Sequence, residues 1–172
     1  NSNQRKKVWY VPSILGLKLP HHWIQILRSI NNSRSQFLLK EDYLSIKDYF
    51  YAIYNSFVIP NNIRHIPEWR GIDISKIVKD EALIEIGCYS LVYVILYYRF
   101  IKRIKDCGIE IELVVDWNEN QTLDRALHLG MKNFFPDTIT KGYQGFIIND
   151  YYASLTPTCY ERDHGLLPDQ LY

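Results

Sequence analysis

The stretch Ile109-Glu110-Ile111-Glu112-Leu113-Val114-Val115-Asp116-Trp117-Asn118-Glu119-Asn120-Gln121 decides how this chain folds. Its first half, Ile109 to Val115, is rich in β-branched and apolar residues, the composition of a strand. Its second half turns abruptly to carboxylates and amides. Asn118 has the side chain of a helix N-cap, and Gln121 then falls at the third helical position. Glu119 stands in the first turn, where the helix dipole favours a negative charge. The passage therefore predicts a central parallel strand over Ile109–Val115 and a helix over Asn118–Leu129, closed by Gly130.

The flanks extend this unit. Upstream, Ala82–Ile104 is the longest apolar segment, and Glu85 and Arg99 confine its uncharged part to Ile86–Tyr98. A membrane span needs about 20 apolar residues, so this segment predicts one buried core helix, with Gly108 as its C-cap glycine. Downstream, Pro136-Asp137 turns the chain, and Ile139–Ile148 reads as the next strand. The order α-β-α-β is that of an α/β domain: a Rossmann-like parallel sheet flanked by helices.

Toward the N-terminus the signals are shorter. Val8–Val11 and Gln36–Leu39 read as short strands, and His22–Ile30 and Asp42–Phe57 as helices, the latter broken by Pro60-Asn61-Asn62. Asn61–Ile74 is loop-like. The sequence predicts one domain over residues 1–155 and a connector over 156–172, since Pro157, Gly165 and Pro168 punctuate the tail.

Composition excludes several functions. Twenty basic and 19 acidic residues give a net charge of +1, which supplies no electrostatic case for nucleic acid. Three cysteines, none at Cys-x-x-Cys spacing, argue against a disulfide framework or a zinc site and for a reducing compartment. His21-His22 has no third ligand at metal spacing, so no metal is predicted. There is no Gly-x-Ser-x-Gly elbow, Gly-x-Gly-x-x-Gly or P-loop, so neither a hydrolase nucleophile nor a nucleotide-phosphate cradle is expected.

In doubly wound sheets ligands sit beyond the carboxyl ends of the strands. Asp116, Trp117, Asn118, Glu119, Asn120 and Gln121 fall at such an end, in greater number than helix capping requires. Every hydroxyl that a polyhydroxylated ligand withdraws from water needs a partner, and a dense set of amides and carboxylates provides them. Glu119 or Asp116 would act as a general base. Asp124 and His128 stand at i,i+4 spacing and are expected to pair on the helix surface. A second cluster, Lys141-Gly142-Tyr143-Gln144-Gly145, brackets an aromatic and an amide with glycines, which permit close approach to a ligand or a strand kink.

Trp117, Glu119-Asn120-Gln121, Asp124-Arg125-Ala126, Gly130, Pro136 and Gly142-Tyr143-Gln144-Gly145 together resemble the acceptor-side half of bacterial surface-polysaccharide glycosyltransferases of GT-B architecture. Such enzymes build lipopolysaccharide O-antigen or capsule from activated sugars, including Kdo-type donors. The resemblance covers about Ile72–Tyr172, and the tail Leu167–Tyr172 resembles the lead-in to the second Rossmann-like domain of that family. It implies that Glu119 or Asp116 is catalytic and that Trp117, Asn118, Asn120, Gln121, Arg125, Tyr143, Gln144 and Gly145 bind substrate. It implies an acceptor glycan or glycolipid as partner, a nucleotide-sugar donor held by a second domain, no cofactor, and work in the cytoplasm at the inner face of the membrane. Rival readings are a non-catalytic carbohydrate-binding or scaffold domain, and a flavodoxin-like or sugar-phosphate enzyme on a similar sheet.

Overall fold

The computed structural model describes residues 7–12, 20–63, 68, 71–145 and 156–172. The fold is mixed α/β, with small parallel sheets flanked by helices. The chain forms two compact units, Asn1–Tyr43 and Leu44–Tyr172.

In the first unit, β1 (Trp9–Tyr10) and β2 (Gln36–Phe37) pair in parallel, Trp9 beside Gln36 and Tyr10 beside Phe37. The helix α1 (Pro20–Asn31) lies between them in sequence, and α2 (Lys40–Tyr43) follows. The two strands and α1 stand where the hydrophobic periodicity puts them.

The second unit opens with a departure. Asp42–Phe57 reads as one helix, yet α2 stops at Tyr43 and α3 runs over Ile46–Asn61. The cause is a capping box: Ser45 donates its backbone N–H to Asp48 Oδ2 at 2.9 Å and its hydroxyl at 2.7 Å. Pro60 does not break α3 but sits in its last turn. A proline there leaves the carbonyl of Ser56 without its helical donor, and Gly87 fills the vacancy, its N–H 3.2 Å from Ser56 O.

That same Gly87 divides the long apolar segment. In place of one helix over Ala82–Ile104 there are two, α4 (Ser75–Ile84) and α5 (Tyr89–Asp106), bent by 83° to each other. Gly87 takes a φ of +67°, and a Cβ on it would lie 2.7 Å from the Phe57 ring, so only glycine makes this corner. Among the described residues no single helix is long and apolar enough to cross a membrane, though the bent pair reaches that length and composition together. Its second half is a core helix: Ile95, Leu96, Tyr97, Phe100, Ile101 and Ile104 are all buried.

At the end of α5, Gly108 adopts a left-handed φ of +71°, and Ile109 returns its N–H to Ile104 O at 3.2 Å. This Schellman-type cap holds Ile109 on the helix end rather than in the sheet. The strand β3 consequently covers Leu113–Trp117, later than the sequence predicts and with Asp116 and Trp117 inside it. It pairs in parallel with β4 (Ile139–Tyr143), which pairs with β5 (Gln170–Leu171). Among the described residues β4 is the central strand of this sheet and β3 an edge strand, where the sequence predicts β3 at the centre. The strand expected to run to Ile148 ends at Tyr143, and Phe146–Ile148 lie outside the described residues.

The helix α6 (Thr122–Phe134) joins β3 to β4. It begins four residues after Asn118, because Gln121 is its N-cap and Asp124 its capping-box partner. Gly130 lies inside it rather than ending it. A Cβ there would stand 3.1 Å from Ile101 Cβ, so Gly130 lets α6 press against α5. The tail, read as a connector, is built into the sheet. It supplies α7 (Cys159–Asp163) and β5, and Tyr172 N–H bonds Gly142 O at 2.9 Å.

Candidate functional site

The site occupies the carboxyl ends of β3 and β4. Strand alternation sends Val114 and Asp116 toward α6 and leaves Leu113, Val115 and Trp117 on the opposite, exposed face. The register places Trp117 beside Tyr143. Their rings lie 5.3 Å apart at 52°, and each is about half exposed, 54% and 53%. They form an aromatic platform at the strand ends.

Glu119 stands at the rim of this platform. Trp117 Nε1 donates to its Oε1 at 2.9 Å, and Gln121 Nε2 donates to its Oε2. An indole and an amide thus fix both carboxylate oxygens, and Gln121 itself is exposed. Trp117, Glu119, Gln121 and Tyr143 are therefore brought together. Gln144 follows directly, its N–H bonded to Tyr172 O at 2.8 Å.

The remaining residues of the cluster face inward. Asn118 is 1% exposed and continues the ladder, its N–H bonded to Tyr143 O at 2.9 Å. Its side-chain Oδ1 accepts from Asn120 N–H at 3.2 Å. Asn120 takes a left-handed φ of 54°, which asparagine tolerates better than most residues, and donates through Nδ2 to Glu161 Oε1 at 3.5 Å. Arg125 pairs with the same carboxylate. Asn120 and Arg125 are thus tied to the tail through Glu161. Asp124 accepts from the N–H groups of Glu119 and Gln121 at 2.9 and 3.0 Å. Burial raises its pKa, and those two backbone donors offset only part of the rise.

Asp124 does not pair with His128 on the surface as the i,i+4 spacing predicts. His128 is 2% exposed and points the other way. Its Nε2 lies 3.3 Å from Asp116 Oδ2 and 3.2 Å from Asn118 Nδ2. Asp116 is likewise turned inward, and neither of its oxygens makes a hydrogen bond among the described residues. The signal was present in the sequence, since His128 is in helical register with Met131 and Phe135, which are also buried. Glu161 is the second residue that the sequence reading missed. It caps α7 through Thr158 at 2.8 Å and gathers Arg125 and Asn120. Burial acts to raise the Glu161 pKa, but the Thr158 donors, Arg125 and Asn120 overcome it and hold the carboxyl below its ordinary range.

The glycines of the second cluster admit protein rather than ligand. A Cβ on Gly142 would meet Pro168 Cγ at 2.8 Å and Asn118 Cβ at 2.9 Å. A Cβ on Gly145 would meet Trp117 Cη2 at 2.1 Å, so the outer rim of the indole lies against that backbone. Among the described residues no three His, Cys, Asp or Glu side chains are grouped to hold a metal ion.

No protein-family model, curated protein or solved structure matches this chain.

Proposed function

We propose that this chain is the acceptor-side half of a glycosyltransferase of GT-B architecture, its sheet the Rossmann-like layer of that half. The observation that carries the reading is the half-exposed Trp117–Tyr143 pair with Glu119 fixed at its rim. Aromatic rings offer an apolar face to the C–H side of a pyranose. A carboxylate and amides at the ring edge then meet the hydroxyls that the stacked sugar turns outward. Glu119 is the general base in this reading, because it is at the rim. Asp116 is directed at His128 and takes a positioning role instead. A nucleotide-sugar donor comes from a second domain, and the acceptor is a surface-polysaccharide glycan or glycolipid.

A non-catalytic carbohydrate-binding domain is the second reading. It is favoured by one feature: both Glu119 oxygens are already engaged by the protein's own donors.

A glycan array of surface-polysaccharide oligosaccharides tests the shared part of both readings. The chain is expected to bind a subset of them, and Trp117→Ala to lose that binding. An array with no binding, or with the same pattern for Trp117→Ala, rejects both.

A further inference from the structure

On the face of the sheet that α6 covers lies a cavity of about 510 Å³, a size that suits a small ligand. It is framed by α6, the start of β4 and the tail. Its wall is apolar where Met131, Phe135 and Leu167 line it, and cationic where Lys132 and Arg162 do. Both cations are exposed, and neither has an acidic partner among the described residues. The Lys132 stem lies against Gly165, where an added Cβ would stand 2.0 Å from Lys132 Cδ. The glycine, at a φ of +70°, thereby makes room for the lysine.

A third group belongs to the same wall. His128 lines the cavity, is 2% exposed, and carries a buried Nδ1 with no hydrogen-bond partner among the described residues. Its other ring nitrogen, Nε2, lies 3.2 Å from Asn118 Nδ2 and 3.3 Å from Asp116 Oδ2. Nδ1 is thus the ring nitrogen left unmatched. Such a group is costly to leave unmade in a protein interior. The one carboxylate in the wall, Asp169, has Oδ2 committed to Thr140, which donates to it from N at 2.8 Å and from Oγ1 at 2.9 Å.

From this arrangement we propose that the cavity binds a small phosphomonoester with an apolar body, the phosphate between Lys132 and Arg162 and the body against Met131 and Phe135, with His128 Nδ1 as a further polar contact. The phosphate would be held by side-chain cations, which explains why no glycine-rich cradle marks the site in the sequence. The inference is independent of the glycosyltransferase reading, because the cavity lies on the helix-covered face of the sheet and the aromatic platform on the other.

Phenyl phosphate, inorganic phosphate and phenol, titrated into the full ¹⁵N-labelled chain at matched ionic strength, test it. Phenyl phosphate is expected to shift the Thr138, Thr140 and Gly165 amides saturably, at a Kd of about 1 mM or tighter. Inorganic phosphate should bind at the same amides more weakly, and phenol should not bind. Lys132→Ala/Arg162→Ala, which changes only exposed side chains, should weaken phenyl phosphate by about tenfold or more. His128→Gln should weaken it as well, and the exposed double variant decides the matter if that buried change prevents folding. No shift with phenyl phosphate, equal binding of phenol, or unchanged affinity in the double variant would overturn the proposal.

Discussion

Asp48 shows how much one side chain carries here. It is fully buried in α3, yet it accepts from Ser45, from Arg99 Nε at 2.7 Å and from Arg103 Nε at 2.8 Å. Burial alone would raise its pKa, but Arg103, Ser45 and Arg99 hold it far below the carboxylate range. Arg99 and Arg103 keep 18% and 27% of their side chains exposed, and Arg103 also reaches Asp106, so losing Asp48 costs less than the about 3–5 kcal/mol of a wholly buried pair. Asp48→Ala should therefore lower unfolding free energy by about 1–3 kcal/mol in urea melts. Asp48 and Glu161 both have depressed folded-state values. Their contribution is present in full above the unfolded carboxyl values, about 3.9 and 4.3, and is lost as pH falls toward the folded ones. Urea midpoints measured from pH 6 down to pH 3 should fall in the wild type, and fall less steeply in Asp48→Ala. At the candidate site, Glu119→Gln keeps size and can still accept from Trp117. In a protein that carries the donor domain, it should reduce turnover by about 10²–10⁴-fold while the melting curve stays in place. Near-native turnover would make Glu119 a binding residue only.

Among elements, the ones with strong local signals stand where the sequence predicts, and the misplaced boundaries have long-range causes. Val8–Val11, His22–Ile30 and Gln36–Leu39 each gave a readable pattern. The helix start at Gln121 was missed because Asn118 is as good a capping residue, and its burial against His128 and Tyr143 is invisible locally. The corner at Gly87 depends on Phe57 and Ser56, some thirty residues upstream. The edge position of β3 could not be read at all, since strand order is set by which partners meet. At the site, Trp117, Glu119, Gln121 and Tyr143 were legible as a cluster, whereas His128 was assigned to the wrong face. Packing of α6 on α5 gives a direct test. Gly130→Val would force an isopropyl group, three carbons, into the space that Ile101 fills. Overpacking of this kind costs about 1–3 kcal/mol, so thermal unfolding should shift down. An unchanged midpoint would mean that the two helices separate freely.

At the scale of the whole molecule, the proposed function divides the labour between this chain and another domain. Glycosyl transfer needs donor and acceptor held in line, and such positioning supplies roughly 7–11 kcal/mol of the barrier. In that proposal the aromatic platform serves the acceptor. This chain alone is accordingly expected to show no transfer from nucleotide sugars in a product assay, and measurable turnover would instead make it a self-sufficient enzyme. The most direct test is the indole N–H of Trp117, observed by ¹⁵N NMR while a surface-polysaccharide oligosaccharide is added to the full chain. Saturable shifts at Trp117 Nε1 and the Gln121 side-chain amide, with the indoles of Trp9 and Trp23 unmoved, are the expected result. A glycan that binds while leaving Trp117 and Gln121 unshifted would contradict the assignment of the acceptor to the β3–β4 strand ends.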